Sequence, residues 1–420
     1  MIDRYLNKDL EKIWSDQNKI DTWKNIQFYY VQTLEDENIA PNGLSEKIKS
    51  TKVSKEEVEE REAVTKHDLA SFVDVLQEKV GEGSNWIHYG LTSSDIVDTA
   101  NSLLVTESIV VVENLVKELL TVLETRAIQE KDTKIIGRTH GVFAEETFLG
   151  NIFGNWFLEI KRGLERLTRA RENIGVGKLS GPVGNYTVVS EEIEQKTLNK
   201  LGLQQEIFAS QIVSRDRYAE VLSSIAILGS TFDRVATNIR SYQRSEISEM
   251  FEAFKEGQKG SSAMPHKKNP IASERISGLA RILRGNIISG LENMVLWNER
   301  DISNSSVERI IFPDSFNIIA FISKELKNVI ENLHINYEKI NSNLELANSK
   351  LMSQKLLSFL VSQGIDRDSA YREIQKALFD DVSFKELKES INKKFNVDVP
   401  DFHIDSIKNI DKDSFSKKLN

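Results

Sequence analysis

The feature that most constrains the fold of this chain is a set of apolar seams, rows of apolar residues spaced alternately by three and four. The clearest seam runs from Val221 to Tyr242 and contains no helix breaker other than Gly229. Such spacing places the apolar side chains on one side of an α-helix, which predicts a long helix packed along its length against others. Only 6 of the 420 residues are prolines, so helix can continue through most of the chain. The positions of this seam are Val221, Ile225, Leu228, Phe232, Val235, Ile239 and Tyr242.

Further seams extend this prediction to a helical bundle. They are Ile319, Ile322, Leu326, Val329 and Leu333, and Ile152, Trp156, Ile160, Leu164 and Leu167. The helix that carries the last seam is expected to begin near Glu146. Residues 102–123 have a broader apolar face, which is typical of a helix covered by several neighbours or by a partner subunit. These patterns predict an all-α fold around a central bundle of long helices, in a chain that completes its core as a homo-oligomer.

Changes in this pattern predict three domains. Residues 1–110 have shorter helical segments, interrupted at "PNGLS" and "GEGSNW", and are expected to form an N-terminal helical domain. Residues 111–358 carry the long seams and are expected to form the central bundle. Residues 359–420, where the pattern shortens and is broken by "NVDVPDFHIDSIKN", are expected to form a small C-terminal helical domain.

Composition narrows the possible functions and partners. The formal net charge of -9 argues against nucleic-acid binding, because neutralising phosphates requires an excess of Lys and Arg over an extended surface. No apolar run reaches the roughly 18 residues of a membrane span, and the first residues lack the apolar region of a signal peptide. We therefore expect a cytoplasmic protein that contacts neither membrane nor nucleic acid. The chain has no cysteine, which excludes thiolate metal sites and cysteine nucleophiles.

The loop "GQKGSSAMPHKKNP", residues 257–270, carries more chemistry than a spacer between helices requires. It matches neither the GxxxxGK[ST] phosphate loop, nor GxGxxG after a strand, nor the GxSxG of serine hydrolases. A serine in such a glycine-led loop can act as a base if backbone N–H groups and an ammonium such as that of Lys267 stabilise its ionised form. Lys267, Lys268 and Asn269 also offer charge and hydrogen-bond donors to a dianionic ligand.

Four histidines lie in polar, glycine- or threonine-bearing surroundings: His67, His88, His140 and His266. Each of them alone is also explained as an ordinary surface or core histidine. The segments "HYGLTSSD" and "GRTHG" place an imidazole beside hydroxyl and backbone N–H groups, which suits carboxylate or phosphate binding and proton transfer. A zinc site is the competing interpretation, but the sequence has no HExxH and no short His spacing.

These residues carry a resemblance to a known superfamily. "GSSAMPHKKNP" resembles the signature loop of the fumarase/aspartase superfamily, and segments between residue 1 and about residue 315 are similar to the adenylosuccinate lyase family of short bacterial type. These segments are "MIDRY", "KHD", "HYGLTSSDIVDTA", "GRTHG", "GKLSGPVGNY", "SRDRY" and "NERDISNSSVERIIFPD". The resemblance implies a three-domain fold and C–N cleavage that releases fumarate from adenylosuccinate, giving AMP, and from succinyl-aminoimidazole carboxamide ribotide, giving AICAR. It implies no metal or organic cofactor, and a homotetramer with active sites shared between subunits.

The resemblance also implies roles for individual residues. Ser261 is the expected base and His140 the expected acid, with His67 supporting His140, Lys267 stabilising the anionic intermediate and Glu274 orienting an imidazole. The residues expected to hold the succinyl carboxylates are Thr92, Ser93, Gln211, Ser262, Lys267 and Asn269, next to Lys268. Those expected on the phosphate and ribose side are Arg4, Tyr5, Arg300, Ser305, Ser306 and Arg309. The expected substrate-binding set is completed by Lys66, Asp68 and His88. His88 is expected either to contact the phosphate or to support His140.

Alternatives remain open at this point. Another fumarate-releasing lyase of the superfamily, such as argininosuccinate lyase, a cycloisomerase, or a non-catalytic helical scaffold would share much of this pattern. Lys66, Tyr218 and Arg275 depart from the family pattern, which usually has arginine, histidine and asparagine there, and "HGVFAEET" lacks the family's histidine and proline. None of these is the expected acid or base, so activity is expected with altered affinity or preference. His334 and His403 lie outside the matched segments and are expected to be structural.

Overall fold

The fold is all-α, as predicted, with a few short strands. In the computed structural model the structure describes residues 1–254, 257, 261, 263–380 and 382–402, with the backbone alone at 348 and 349. Within these residues the α-helices are α1 Lys8–Ile13, α2 Asp16–Asp36, α3 Leu44–Ser50, α4 Lys55–Thr65, α5 Asp68–Val80, α6 Ser93–Gln129, α7 Leu149–Ile174, α8 Glu191–Leu201, α9 Arg215–Tyr242, α10 Ile271–Glu292, α11 Ser303–Glu331, α12 Tyr337–Leu351, α13 Ser353–Ser362, α14 Arg367–Phe379 and α15 Phe384–Phe395. None of the described helices is long and apolar enough to cross a membrane.

Short strands form pairs between the helices. They are β1 Lys134–Thr139 with β2 Val142–Phe148, antiparallel; β3 Val176–Gly177 with β4 Gln204–Gln205, parallel; and β5 Met250–Phe251 with β6 His334–Ile335, antiparallel. Two 3-10 helices, Asp3–Tyr5 and Ser84–Trp86, precede α1 and α6 among the described residues. The strands are short, so the long helices set the architecture.

The seams predicted from sequence lie on long helices. The seam from Val221 belongs to α9, which buries Leu228 and Phe232 completely. The seam from Ile319 belongs to α11, which continues through Pro313, while Leu333 lies two residues beyond the end of this helix. Apolar residues at spacings of three and four therefore identified both helices, because burial of one side of a helix requires that spacing.

The predicted start of the helix that carries Trp156 is wrong. Glu146 lies in β2, and α7 begins only at Leu149. The segment before α7 pairs with β1, with Glu146 opposite Ile136 and Thr147 opposite Ile135. Pairing with a strand that precedes it decides the conformation of β2, and such non-local contacts override local helix preference.

Contacts between Cα atoms divide the described chain into two compact units. Unit 1 comprises residues 1–118, 160–234 and 275–325, and unit 2 comprises residues 119–159, 235–274 and 326–420. The limits between them fall inside α6, α7, α9, α10 and α11. This division differs from the three predicted domains, whose first limit at residue 110 lies inside α6; the three-domain organisation stays a prediction.

Each unit has its own apolar core. In unit 1, Trp23, Tyr30 and Phe72 are among the fully or almost fully buried residues that join α2 and α5. In unit 2, the C-terminal helices enclose a separate cluster that includes Leu356 and Leu387. The hairpin β1–β2 packs on α12, where Ile136 contacts a small buried cluster. These cores fix the ends of the helices and the turns that carry the candidate functional side chains.

Candidate active site

His67 caps the amino end of α5 in unit 1. Its Nδ1 accepts a hydrogen bond from the backbone N–H of Ala70 at 3.4 Å, and its Nε2 lies 3.2 Å from the hydroxyl oxygen of Ser93. A ring nitrogen that accepts a hydrogen bond carries no proton, so the neutral ring holds its proton on Nε2. The helix cap therefore presents His67 as a donor at Nε2, towards Ser93. The side chain is 48% exposed and remains accessible to a ligand.

His88 is held by the buried side chain of Gln27. The Gln27 amide donates to His88 Nδ1 at 3.0 Å and accepts from the His88 backbone N–H, also at 3.0 Å. Burial, together with the positive charge that His67 can carry, lowers the pKa of His88 to about 4. The imidazole is therefore neutral near pH 7, and Gln27 leaves its proton on Nε2. His88 also has a φ of 65°, a left-handed conformation that a non-glycine residue rarely adopts.

The amino end of α6 carries Thr92 and Ser93 on a buried support. Asp95 accepts from the Thr92 backbone N–H at 2.8 Å and from that of Gly181 at 3.2 Å. Its other carboxylate oxygen binds the Nζ of Lys178, and both side chains are fully buried. A buried ion pair with these additional hydrogen bonds fixes geometry more than it stabilises the fold. Asp95 and Lys178 thus hold the turn before α6 in one position.

Arg300 reaches the same helix end. Its Nη1 donates to the buried hydroxyl of Ser94 at 2.9 Å and to Oε1 of Gln211 at 3.4 Å. Among the described residues, its Nε is buried without a hydrogen-bond partner. Such an N–H costs free energy while unpaired, which suits a guanidinium that receives an anion. The structure therefore brings together two predicted residues, Arg300 and Gln211, with Ser94, which was not predicted.

Asp68 and Arg309, both predicted to bind substrate, pair with each other. The Asp68 Oδ2 accepts from Arg309 Nη2 at 2.7 Å, and its Oδ1 accepts from the backbone N–H of Leu69 at 2.8 Å. Both side chains line a cavity of about 250 Å³ in unit 1, together with Arg300 and Ser305. Four of the predicted residues thus share one cavity, and Asp68 is the acidic residue among these four.

The wall of this cavity contains a buried triad that sequence analysis missed. The guanidinium of Arg215 lies between two carboxylates. Its nitrogens donate to the two carboxylate oxygens of Asp98 at 2.5 and 2.9 Å and to those of Glu308 at 2.9 and 3.2 Å. The guanidinium also lies 4.5 Å from the ring centre of Tyr218. Burial raises the pKa of Glu308, although Arg215 opposes this. All three residues stand inside quoted motifs, but no local pattern indicated that these distant segments pair.

The remaining predicted residues of unit 1 make other contacts. Arg4 is exposed on the first 3-10 helix, beside Tyr5, whose ring packs edge-on against Phe321 at 4.9 Å. Lys66 is exposed and ends α4 with a φ of 58°. The Ser306 hydroxyl donates to the backbone carbonyl of Ser303, one turn earlier in the same helix, at 3.3 Å. These contacts place the residues but assign no ligand to them.

His140 lies at the turn of the hairpin β1–β2 in unit 2. His140 and Gly141 both have positive φ, 55° and 79°, which is typical of the tight turns that suit the twist of a hairpin. Arg138, two residues earlier, makes two parallel hydrogen bonds of 2.7 and 2.8 Å to the fully buried Glu249. The imidazole is exposed at the tip of an anchored hairpin.

The glycine-rich loop is described in part. The hydroxyl oxygen of Ser261 accepts from the backbone N–H groups of Ala263 at 3.2 Å and Met264 at 3.1 Å. Donors aimed at an oxygen stabilise negative charge on it. Ser262, the other serine of the loop, lies outside the described residues, so the prediction that it binds a carboxylate stays a prediction.

Contacts near the end of this loop tie it to the segment that enters it. The Glu252 carboxylate accepts from the backbone N–H groups of Ala272 at 3.2 Å and Ser273 at 2.6 Å, which caps α10. Gln243 accepts from the Glu252 backbone N–H at 3.1 Å and donates to the Lys268 carbonyl at 3.0 Å. These polar groups hold the two ends of the loop close together.

The other predicted residues of the loop region are Lys267, Lys268, Asn269 and Glu274. Lys267 is exposed, and its backbone N–H closes a turn on Met264 at 3.0 Å. The ammonium of Lys268 lies 5.5 Å from the ring centre of Phe254. Asn269 is half-buried, and Glu274 is exposed in the first turn of α10. The structure thus leaves Lys267 and Glu274 accessible, and within the described part of the chain no side-chain partner fixes the role of either.

The departures from the family pattern have structural roles. Tyr218, where histidine is common, is buried against Arg215, and burial raises the pKa of its hydroxyl far above the ordinary value. Arg275, where asparagine is common, forms an ion pair of 2.7 Å with Glu325. His334 packs its ring against Phe251 at 4.5 Å, which agrees with its expected structural role. His403 lies outside the described residues.

Comparison with known proteins gives a consistent family relationship. A protein-family model described as "Lyase" matches residues 15–285. The chain is 43% identical over 394 residues to the adenylosuccinate lyase of Aquifex aeolicus (strain VF5), covering 92% of this chain and 90% of that protein. It is 39% identical over 424 residues to the adenylosuccinate lyase of Thermotoga maritima, covering 97% and 98%. These similarities continue into the C-terminal region, beyond the last of the quoted motifs.

Solved structures with low sequence identity have the same fold. A fumarate lyase from Mesorhizobium sp. BNC1 superposes with a TM-score of 0.82 at 18% identity, covering 99% of this chain and 94% of that chain. A 3-carboxy-cis,cis-muconate lactonizing enzyme from Pseudomonas putida has a TM-score of 0.81 at 19% identity, covering 93% and 90%. At such identities the similarity concerns the fold alone.

Proposed function

The chain belongs to the adenylosuccinate lyase family, and from this premise we propose how its residues carry out the reaction. The chain is a carbon–nitrogen lyase that eliminates fumarate from adenylosuccinate and leaves AMP. A second reaction, the release of fumarate from succinyl-aminoimidazole carboxamide ribotide, is part of the same proposal. The high identity over nearly the full length supports the reaction, while the roles below are argued from individual residues.

The contact that supports the proposed mechanism most directly is that of Ser261 with two backbone N–H groups. The base must remove a proton from the carbon next to a carboxylate, and a neutral hydroxyl is too weak a base for this step. As an alkoxide, Ser261 would keep both N–H donors, which stabilise its charge. The exposed ammonium of Lys267 would neutralise the carboxylate that accepts the electron pair. We therefore assign the base to Ser261 and the stabilising cation to Lys267.

The elimination continues with cleavage of the C–N bond. The electron pair of the carbanion forms the double bond of fumarate, and the electrons of the C–N bond leave with the purine amine. That nitrogen needs a proton from a general acid, and we assign this role to His140 at the tip of its hairpin. His67, held as a donor at Nε2 by its helix cap, would orient the leaving group or His140. Glu274 would orient an imidazole, as carboxylates often do.

The sequence prediction placed Arg300 on the phosphate and ribose side, whereas we propose from its contacts with Ser94 and Gln211 that it binds the succinyl side of the substrate. Arg300 donates to Gln211, which we expect to hold a carboxylate, and approaches the helix end that carries Thr92 and Ser93. We propose that these groups act on the same carboxylate of the succinyl moiety. We propose that the phosphate and ribose bind towards Ser305 and Arg309, which line the cavity of unit 1. There the phosphate would replace Asp68 as a partner of Arg309.

A homotetramer with shared active sites is part of this proposal. Helix α10 exposes a line of small and apolar residues, which we call the α10 face: Gly278, Ile282, Gly285 and Ile288. A Cβ added at either glycine would meet nothing within 4 Å, so another helix has room to approach closely. Exposed apolar faces on long helices are typical of subunit interfaces. A cytoplasmic location likewise stays a prediction.

The reaction is tested by measuring fumarate release by absorbance. Purified protein is expected to release fumarate from adenylosuccinate and not from argininosuccinate. Fumarate from argininosuccinate alone would identify a different lyase of the same fold, and no reaction with either substrate would favour a non-catalytic scaffold.

The assignment of the base is tested separately by the variant Ser261→Ala. Removing a general base typically lowers kcat by about a hundred- to ten-thousand-fold, and we expect a loss in this range with little change in KM. His266→Gln is a matched control, because it replaces an exposed residue of the same loop to which no role in the reaction is assigned. Normal turnover in Ser261→Ala would show that another group removes the proton.

A further inference from the structure

The hairpin that carries His140 is anchored by one buried carboxylate. Glu249 is fully buried, and both of its oxygens accept hydrogen bonds from Arg138, at 2.7 and 2.8 Å. A third bond, at 2.8 Å, comes from the side-chain amide of Asn343 on α12. Paired and hydrogen-bonded in this way, a buried charge keeps a fixed geometry. Glu249 therefore connects β1, α12 and the segment that enters β5.

Arg138 is well placed to transmit this anchoring to the turn. It lies two residues before His140, just after an irregularity in the β1–β2 register between Ile136 and Arg138. Its guanidinium also lies 5.3 Å from the ring centre of Phe143, on the opposite strand. A planar guanidinium bound at two points has little freedom to rotate. Its contacts with Glu249 and Phe143 thus fix both strands next to the turn.

The segment that supplies Glu249 is itself held in place. The Glu249 backbone N–H donates to the Tyr242 carbonyl at 3.1 Å, and its carbonyl accepts from the Asn336 N–H at 2.9 Å. The following strand, β5, pairs with β6. The carboxylate thus projects from a backbone that is fixed on both sides, which makes it a rigid support for the hairpin.

We propose that Glu249 is a positioning residue for the reaction, acting through Arg138 to hold His140 where it can protonate the leaving nitrogen. This proposal rests on the assignment of His140 as the acid. Displacing a reacting group by about 1 Å can cost about a hundred-fold in rate. Substrate binding by other residues would be unaffected, so the effect should appear in kcat rather than in KM.

The test is a double-mutant cycle between Glu249 and His140. Glu249→Gln removes the charge and one of the two parallel acceptors, and we expect kcat for adenylosuccinate to fall about ten- to a hundred-fold at unchanged KM. In a His140→Gln background the same change should cost less than about three-fold, because there is no acid left to misplace. A loss that multiplies fully with that of His140→Gln would overturn the positioning role.

Two further variants separate positioning from folding. Glu146→Gln is the matched control, because Glu146 forms an ion pair with Lys134 at the other end of the same hairpin, 3.2 Å away; its kcat should stay within about two-fold of the parent. Arg138→Lys keeps the charge but loses the two-point contact, and its kcat should fall between that of the parent and the loss expected for Glu249→Gln. This variant keeps the proposal testable if Glu249→Gln does not fold. Unchanged kcat in a folded Arg138→Lys variant would contradict the proposal.

The same experiments distinguish this proposal from the assignment of His140. If His140→Gln keeps parental turnover, the acid is another group and both ideas fall together. If His140→Gln loses activity while Glu249→Gln and Arg138→Lys do not, only the positioning role fails.

Discussion

At the residue scale, several candidate functional side chains have a second, structural role that fixes their chemistry. His67 is both a helix cap and a donor to Ser93, and His88 is both half-buried and oriented by Gln27. In both rings one nitrogen accepts from the protein, so the other is committed to the proton. His88 and His140 also adopt left-handed backbone conformations, which cost free energy and tend to persist where function requires them.

The two roles of His67 can be separated by substitution. Asn is a preferred helix cap, so His67→Asn should retain the stability of the protein but lose the contact with Ser93 and most of its turnover. His67→Ala loses the cap as well, and should lower the free energy of unfolding by about 1 kcal/mol. Urea unfolding measures the stability of both variants, and fumarate release measures their turnover. Parental turnover in His67→Asn would show that the donor at Nε2 is dispensable.

The half-buried His88 predicts a pH dependence of stability. Its pKa is about 4 in the folded protein and about 6.5 when unfolded, so the unfolded state takes up this proton first as pH falls. The resulting contribution of His88 to the free energy of unfolding is complete above about pH 6.5 and is lost as pH falls towards 4. Between pH 7 and pH 5 the loss amounts to about 2 kcal/mol. Because asparagine tolerates positive φ and does not titrate, His88→Asn should remove this part of the dependence.

The measurement is urea unfolding at pH 7 and pH 5 for the parent and His88→Asn. His266→Gln, which replaces an exposed histidine, serves as the control and should keep the parental dependence. An identical fall in stability in all three proteins would mean that the pKa of His88 does not change on folding.

At the element scale, long helices in unit 1 are joined by buried charges as well as by apolar seams. Asp98, Arg215 and Glu308 belong to α6, α9 and α11, and all three side chains are buried. The apolar seams identified these helices, but helices with similar seams can pack in several registers. Because an unpaired buried charge is costly, the triad favours the register in which the three groups meet.

Removal of the central charge should therefore be strongly destabilising. We expect Arg215→Met to lower the free energy of unfolding by about 3–5 kcal/mol, because it leaves two buried carboxylates without a cation. Adding Asp98→Asn and Glu308→Gln should restore much of the loss, since the carboxylates are then neutral. Chemical denaturation of the single and triple variants measures both effects. A triple variant no more stable than Arg215→Met would show that the guanidinium acts by packing and not by charge.

At the scale of the whole molecule, the proposed site residues are divided between the two units. His67, Ser93 and Arg300 belong to unit 1, and His140 and Ser261 belong to unit 2. The α10 face of unit 1 offers a surface on which another copy of the chain could pack. Active sites assembled from several subunits, as the family resemblance implies, stay a proposal.

A charge on the α10 face should separate the subunits and abolish activity. Ile282 is 46% exposed, so Ile282→Glu should leave the single chain folded, while burying the carboxylate in an interface would be unfavourable. Sedimentation should show dissociation, and turnover should fall with it. Phe379→Glu, at a residue of α14 that is 79% exposed, is the control and should stay assembled. A monomeric Ile282→Glu variant with full turnover would refute the shared-site proposal.

The sequence by itself determined the helical class, the long helices and the chemistry available to them. Helical periodicity is local, so seams such as that from Val221 could be identified without tertiary information. The candidate residues Ser261, His140 and His67 were likewise found without tertiary information, because they lie in short motifs that resemble those of a known family.

Only the tertiary structure decided how these residues are held. The hairpin that carries His140, the Arg138–Glu249 contact and the Arg215 triad all join segments far apart in the chain. A strand depends on its partner, and a buried charge can be tolerated only where its counter-charge lies. Such pairings are set by the packing of the complete fold, and no local pattern could specify them.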